Sequence, residues 1–426
     1  MHFAIFQLAL STLVLGPGDG DSSEAKAYSG RAADNEVATP ALDRAQIDID
    51  GRLDDAAWQQ AALLTSFTQF RPVEGVEASE RTEVRVLVDA EAIYFAIMAF
   101  DSDPSGIRAT LAERDSYTRS DDYVRLILDT FDDARRAYVF TVNPLGVQHD
   151  GIWNEGGGSA GRRHGNYGQP IDDNPDFLWD SDGAITEWGY QVEVRVPFKS
   201  LRFPEAEQQS WGLHVQRRIQ RSGFESSWAP ITANVSNKLT QAGKLNGLRN
   251  LDPGLFMELN PVLTGKRIGE FNAADGLFRR QDPSGDFGLN ATYGVTSNLT
   301  LDATYNPDFS QIEADAGQIA VNERFALFFP EKRLFFLEGT EIFGMAKQII
   351  YTRSVANPIA GAKLTGKLGS LNVGYLGAID QSFDAGAANT VVNLVRVRQD
   401  VGAASTIGAV YTDRTIGANN FNRVAG

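Results

Sequence analysis

Two patterns of hydrophobic and polar positions divide this chain. In the first part the apolar positions come in short, nearly continuous runs: TEVRVLVD (82–89), AIYFAIMAF (92–100), YVRLILDT (123–130), RAYVFTVN (136–143), YQVEVRVPF (190–198) and WGLHVQRRI (211–219). Runs of this length bounded by turn residues predict strands buried on both faces, as in the core of a β-sandwich. One segment, LDDAAWQQAALL (53–64), predicts a helix capped by Asp54 or Asp55, with Trp58, Ala61 and Ala62 on one face.

Beyond RNLDPG (249–254), a turn or linker, the pattern becomes strict alternation. In DFGLNATYGV, Phe287, Leu289, Ala291, Tyr293 and Val295 share a face opposite Asp286, Gly288, Asn290, Thr292 and Gly294. LTLDATYN (299–306), GAKLTGKLG (361–369) and SLNVGYLGAID (370–380) repeat it. Strands of about ten residues, apolar on one side and polar or glycine on the other, predict an antiparallel outer-membrane-type β-barrel. A soluble sheet with one wet face gives the same alternation. Glycine and small residues recurring on the polar face favour a crowded lumen. The predicted fold is therefore all-β: a sandwich over 40–250, then a barrel portion over 253–426.

Between Asn306 and Phe343 the alternation stops. This block holds seven of the chain's 25 phenylalanines among charges. Backbone and charge in lipid must be paired, so Glu331, Lys332, Arg333 and Glu338 exclude it as a lipid-facing strand. Ser310 and Glu313 have capping-box spacing for a short helix, and Pro330 would end it. The consistent placement of 307–344 is a lumen plug or constriction, with Phe328 and Phe329 packed on the wall. A gate and a fixed stopper both fit. Lys363 and Lys367 share the inferred lumen face, as do Arg396 and Arg398, with Asp302 and Asp380 opposing them.

Composition narrows this further. The net charge of −16 excludes a non-specific nucleic-acid footprint, and the absence of cysteine excludes disulfides and thiolate metal sites. The N-terminal FAIFQLALSTLVL (3–15) fits the apolar core of a signal peptide ending near AKA (25–27), though its start lacks Lys and Arg. Export over 1–27 is expected, with the barrel in the outer membrane among its lipids and, for an even number of strands, the sandwich on the periplasmic side.

Four segments, VNPLGVQHDG, YQVEVRVPFKSLRFP, WGLHVQRRIQRSGFESSWAP and the 306–343 block, resemble the signatures of a bacterial family of uncharacterised function. Its members carry an N-terminal domain similar to carbohydrate-binding module family 9, followed by an outer-membrane-type barrel. IDIDGRLDDAAWQQA (47–61) resembles the opening of that module. The resemblance implies an architecture and a glycan ligand, with recognition or uptake in carbohydrate catabolism as the expected role. It also implies a terminal strand ending in an aromatic residue, whereas the chain stops at NNFNRVAG, which reads as a fragment of a longer barrel.

For a stacked sugar, the loop tryptophans Trp153 and Trp179 are the candidate platforms, and Trp228 fits either platform or core. Trp58, Trp188 and Trp211 lie in periodic segments and read as core. Asn143, His149 and Arg217 or Arg218 are candidate hydrogen-bonding groups; these two arginines, adjacent on a strand, must face opposite ways, and Arg218 is taken for the ligand side. Asp101–Asp103, or Asp172, Asp173 and Asp176, offer oxygens for Ca²⁺ or make ordinary solvated turns. No acid–base pair is evident for the alternative, a hydrolase of O-glycosyl bonds; a barrel scaffold without a sugar ligand is the other alternative. GGSAG (157–161) lacks the strand–helix context of a nucleophile elbow.

Overall fold

Each apolar run of the first part forms a strand in the computed structural model. The model describes residues 26–426 apart from 117–119, 156–170, 174, 255, 268, 273–275, 281, 308–330, 332, 338, 346–349, 356, 383–387, 403–404 and 418–419. One sheet of six strands has the order Ala27–Ser29, Ala62–Thr65, Thr82–Val88, Ala92–Phe100, Gly189–Pro197, Asp180–Thr186. The second is built on the long strand Gln208–Ile219. Tyr123–Asp129 flanks it on one side, and Gly243–Arg249 and Phe224–Ser227 share the other. Arg136–Val142, Gln148–Asn154 and Ile171–Asp172 extend it beyond Tyr123–Asp129. The faces meet in one core that includes Phe95, Phe140, Tyr190, Trp211 and Trp228. Burying each such side chain contributes roughly 1.5–3 kcal/mol, which explains why unbroken apolar runs were needed.

The sandwich starts earlier than expected, since Ala27–Ser29 and Glu36–Ala38 pair in its two sheets. The leader expected over 1–27 lies outside the described residues except for Lys26 and Ala27, and Ala27 begins a strand. The helix expected at 53–64 is instead a 3-10 segment at Ala56–Gln60 without a side-chain cap. Ala62–Thr65 leaves it to pair with Thr82–Val88, so sheet hydrogen bonds override the local helix preference. The Asp55 carboxylate accepts from the Asp48 N–H at 3.1 Å and braces the loop before it.

The alternating segments form a second architectural unit, an eight-stranded antiparallel sheet. Its order is Met257–Lys266, Ser284–Thr296, Leu299–Tyr305, Pro358–Leu368, Leu371–Asp380, Thr390–Val401, Ser405–Ile416, Asn420–Ala425. Among the described residues its first and last strands do not pair, so the sheet is open. Its burial is inverted relative to a soluble sheet: Thr300, Asp302 and Thr304 are buried, whereas Leu301, Ala303 and Tyr305 between them are exposed. Tyr375, Ile379, Val395 and Tyr411 extend the exposed apolar face across the register.

Phe335, Phe336 and Phe343 pack on the polar face, where they join Leu376, Ala378 and Leu394. Glycine is required there: a Cβ on Gly361 would lie 3.0 Å from the Phe335 ring, and one on Gly374 would lie 2.8 Å from Phe343. The described part of the aromatic block is thus seated on the sheet's polar side. Phe328, Phe329, Lys332, Glu338 and the capping-box segment lie outside the described residues.

Strand connections at one end of this sheet are tight, at 297–298, 369–370 and 402–404; three at the other end are long, at 267–283, 306–357 and 381–389. The sandwich docks at the tight end through its 130–135 hairpin. Lys367 pairs with Asp133 and lies 3.1 Å from Asp400, with the Phe131 ring 5.1 Å from its ammonium. Arg135 donates to the carbonyls of Gly402 and Ser405, both at 3.0 Å.

Candidate functional site

The expected platforms Trp153 and Trp179, and Trp228, which fitted either platform or core, are all packed inside. Trp153 belongs to the strand Gln148–Asn154, sits among Ile127, Val139, Ile171 and Leu239, and donates its indole N–H to Glu155 at 2.9 Å. Trp179 packs edge-on to Phe140 with centroids 5.3 Å apart and donates to Asp150 at 3.3 Å. Trp228 donates to the Tyr28 carbonyl at 3.2 Å, and a Cβ at Gly243 would reach within 2.4 Å of its ring. Each ring fills the core and each N–H is satisfied, so none offers a face to a ligand.

The expected polar groups divide in the same way. Asn143 organises a turn: its amide donates to the Thr110 carbonyl and to Asp121, while its oxygen accepts from the N–H groups of Leu145 and Val147. Arg218 pairs with Glu225 at 2.7 Å and donates to Gln220. Its neighbour Arg217 does face the other way, into the core, donating to the Arg81 carbonyl and to Thr82.

His149, Asp173 and Asp176 do come together, in a cluster that sequence spacing alone did not define. His149 stands 3.6 Å from Asp115 and 3.5 Å from Asp173. Oxygens of Asp115, Asp150 and Asp176 lie within 4.8 Å of one another. Burial raises the carboxyls of Asp115 and Asp150 above the usual range. Arg114 enters this cluster, donating to Asp150 at 2.7 Å, lying 2.6 Å from Asp176, and bonding the Phe177 carbonyl. A guanidinium already occupies the position of positive charge, so the donor set does not fit Ca²⁺, which wants six to eight oxygens without a cation among them. Asp172 is held in a short strand opposite Ile152. These carboxylates therefore brace loops, and Arg114 bridges Asp150 and Asp176.

A second buried carboxylate clamps the opening segment. Glu193 accepts from the Trp58 indole at 2.9 Å and from the N–H groups of Asp50 and Gly51 at 3.1 and 3.0 Å. Burial outweighs these donors and pushes its carboxyl up to about 7. Trp58 thereby covers Tyr94, Ala96 and Leu87 on the outer face of the six-stranded sheet.

That cover stops short of the sheet's end, where the residue missed by sequence reasoning sits. Trp188 is 36% exposed, on the two-residue connection between Asp180–Thr186 and Gly189–Pro197. The signal was present in TEWGY: a tryptophan at a hairpin tip has no core to fill. The ring rests against Phe100, centroids 4.9 Å apart, and the Arg81 guanidinium lies 4.4 Å from the Phe100 centroid on the same sheet.

On the C-terminal sheet, Lys363 is fully buried. It lies 3.3 Å from its cross-strand partner Asp302 and donates to the Phe335 carbonyl at 2.7 Å. Arg333 pairs with Glu331 through two nitrogens at 2.8 Å, donates to the carbonyls of Val355 and Thr352, and covers the Phe336 ring at 4.0 Å. Lys367 shares the face of Lys363, as expected from the period of two, and secures the sandwich. Arg396 and Arg398 are half-buried on the same face. Asp380 accepts from the Asn357 N–H at 2.6 Å. Where sandwich and sheet meet, a cavity of about 500 Å³ is lined by Tyr138, Phe177, Arg202, Phe256, Thr300 and Asp302, among others.

A family model described as a domain of unknown function, DUF5916, matches residues 271–394, which lie within the C-terminal sheet and its seated block. No curated protein matches the chain. The chain is similar to a carbohydrate binding module family 9 from Caldicellulosiruptor kristjanssonii in complex with cellotriose. The two are 15% identical, with 49% of this chain and 92% of that one covered and a TM-score of 0.34. A complex of the C. kristjanssonii family 9 module with glucose gives 15% identity, 48% and 93% coverage, and a TM-score of 0.33. A candidate carbohydrate-binding protein from Bacteroides uniformis gives 10% identity, 50% and 98% coverage, and a TM-score of 0.38.

Proposed function

We propose that this is an outer-membrane-associated carbohydrate-binding protein whose C-terminal sheet is part of a membrane-spanning β-barrel wall. The observation that carries the membrane reading is the inverted burial of that sheet. Leaving Leu301, Tyr305, Tyr375, Val395 and Tyr411 on one continuous exposed face is costly in water and favourable against lipid. The polar face with its seated block is then the lumen side, and Arg333, Phe335, Phe336 and Phe343 narrow the lumen. Barrels of this kind place tight turns on the periplasmic side and longer loops outside. The sandwich docks at the tight-turn end, which supports a periplasmic position. The glycan ligand is proposed from the sequence resemblance to family 9 modules.

The test exploits the lack of native cysteine. Single cysteines at Leu301, Tyr375 and Val395, labelled with a fluorophore in reconstituted vesicles, should be quenched by nitroxide lipids and not by aqueous iodide. Quenching by iodide and not by the lipid probe would reject the membrane reading.

A further inference from the structure

We propose that the uncovered end of the six-stranded sheet, centred on Trp188, is the sugar-contact surface, and that it takes the apolar face of a neutral pyranose ring. This inference rests on the carbohydrate reading above and names its site. The argument begins with exposure. The other five tryptophans are 0–7% exposed, whereas Trp188 is 36% exposed. A large ring held at a surface without a core to fill needs a reason, and the local backbone is built to hold it there. The Trp188 carbonyl accepts from the Asp101 N–H at 3.0 Å. Gly189 follows at φ 146°, and a Cβ there would fall 2.1 Å from the Ala99 carbonyl oxygen, so only glycine permits this close hairpin.

The surroundings define the ligand. Sheet register aligns Met98 with Glu83 on one side and Gln191 on the other, and Phe100 with Gly189, beside Thr186. Side chains two apart share a face. Phe100 therefore continues the outer face of Tyr94 and Ala96 past the point where the Trp58 segment ends. Gln191 marks that edge by donating to the Gly51 carbonyl at 2.6 Å. An aromatic pair bordered by the Gln191 amide and the Glu83 carboxylate matches a sugar ring, which has an apolar C–H face and a hydroxyl rim. Charge sets the ligand's sign. Arg81 is paired with Glu83, and Glu80 with Arg221 at 3.3 Å, while the exposed Glu187 adjoins Trp188, so the rim offers no spare cation and favours a neutral sugar over an acidic one.

The experiment is a titration of the full chain in detergent with neutral cello-, xylo-, manno- and chito-hexaoses, followed by tryptophan fluorescence and by calorimetry. The expected result is saturable binding with a blue shift, since Trp188 is the exposed indole. Trp188→Ala should weaken binding roughly tenfold or more, Trp188→Phe should retain part of it, and Arg81→Ala should weaken it to a lesser degree. Unchanged far-UV circular dichroism of the variants keeps the comparison interpretable. Wild-type binding that Trp188→Ala leaves intact would overturn this site while leaving the carbohydrate reading standing. No binding by the wild type to any of the four would overturn both.

Discussion

Replacing Val395 by arginine separates lipid from water as the neighbour of the C-terminal sheet. Val395 is the sixth residue of the strand Thr390–Val401 and is exposed between the rows of Tyr375 and Tyr411. A strand rises about 3.4 Å per residue and tilts about 40° in a barrel, so Val395 lies about 13 Å above the strand's end. That is close to the middle of an apolar band about 25 Å tall, where arginine costs roughly 2–4 kcal/mol. The corresponding change in the folded-to-unfolded ratio is roughly 30- to 700-fold. On a sheet face bathed in water the same substitution would change stability by no more than about 0.5 kcal/mol. Urea unfolding in lipid vesicles, followed by gel mobility without boiling, reads the difference. Val395→Thr serves as a size-matched control and should cost far less. A Val395→Arg protein as stable as wild type, in vesicles or in buffer, would refute the lipid-facing assignment.

Three further outcomes follow from buried titratable groups. Lys363→Met leaves Asp302 buried without its cation and removes the donor to the Phe335 carbonyl, costing roughly 3–5 kcal/mol; the same unfolding assay should show partial recovery in Asp302→Asn/Lys363→Met. Lys367→Glu sets a negative charge against Asp133 and Asp400, so protease should cut the 250–256 linker several-fold faster than in wild type. Burial depresses the His214 imidazole to about 4 from an ordinary value near 6.5. The folded state then binds fewer protons than the unfolded chain between these values, so the stability it contributes is present above pH 6.5 and lost as pH falls toward 4. Because all six tryptophans lie in the sandwich, their fluorescence in urea should show wild type losing about 3 kcal/mol more than His214→Phe between pH 7 and pH 4.

What was legible in the sequence depended on whether a residue's role was set by period or by contact. Ala92–Phe100 and Tyr123–Asp129 could be placed to within a residue, because unbroken apolar runs have only one stable setting, between two packed layers. The two faces of Leu299–Tyr305 were equally plain from a period of two. Residues whose fate is decided by distant partners could not be read. The 56–60 segment has the spacing of a helix, yet Glu193, far along the chain, holds Trp58 against a sheet and the chain leaves at once to pair. Trp153 and Trp179 neighbour glycines and aspartates in sequence, and nothing local reveals that Ile171 and Phe140 will enclose them. Trp188 failed in the opposite sense: it flanks a periodic strand, and only the hairpin's position past the end of the Trp58 cover leaves it open.

The positions of these features constrain how the two units could cooperate. Trp188 lies on the outer face of the six-stranded sheet, whereas docking uses the 130–135 hairpin of the other sheet. A sugar held at Trp188 is therefore outside the junction with the C-terminal sheet. The cavity between the units opens instead to Thr300 and Asp302, on the face where Lys363 fastens the seated block. The Trp188 surface and the fastening of the seated block are thus separable in structure. Trp188→Ala would remove the first without touching the Asp302–Lys363 pair, and Lys363→Met would loosen the block without altering the aromatic surface. If both substitutions abolished glycan binding equally, the sugar would have to sit in the junction cavity, and the sandwich's outer face would be left without a ligand.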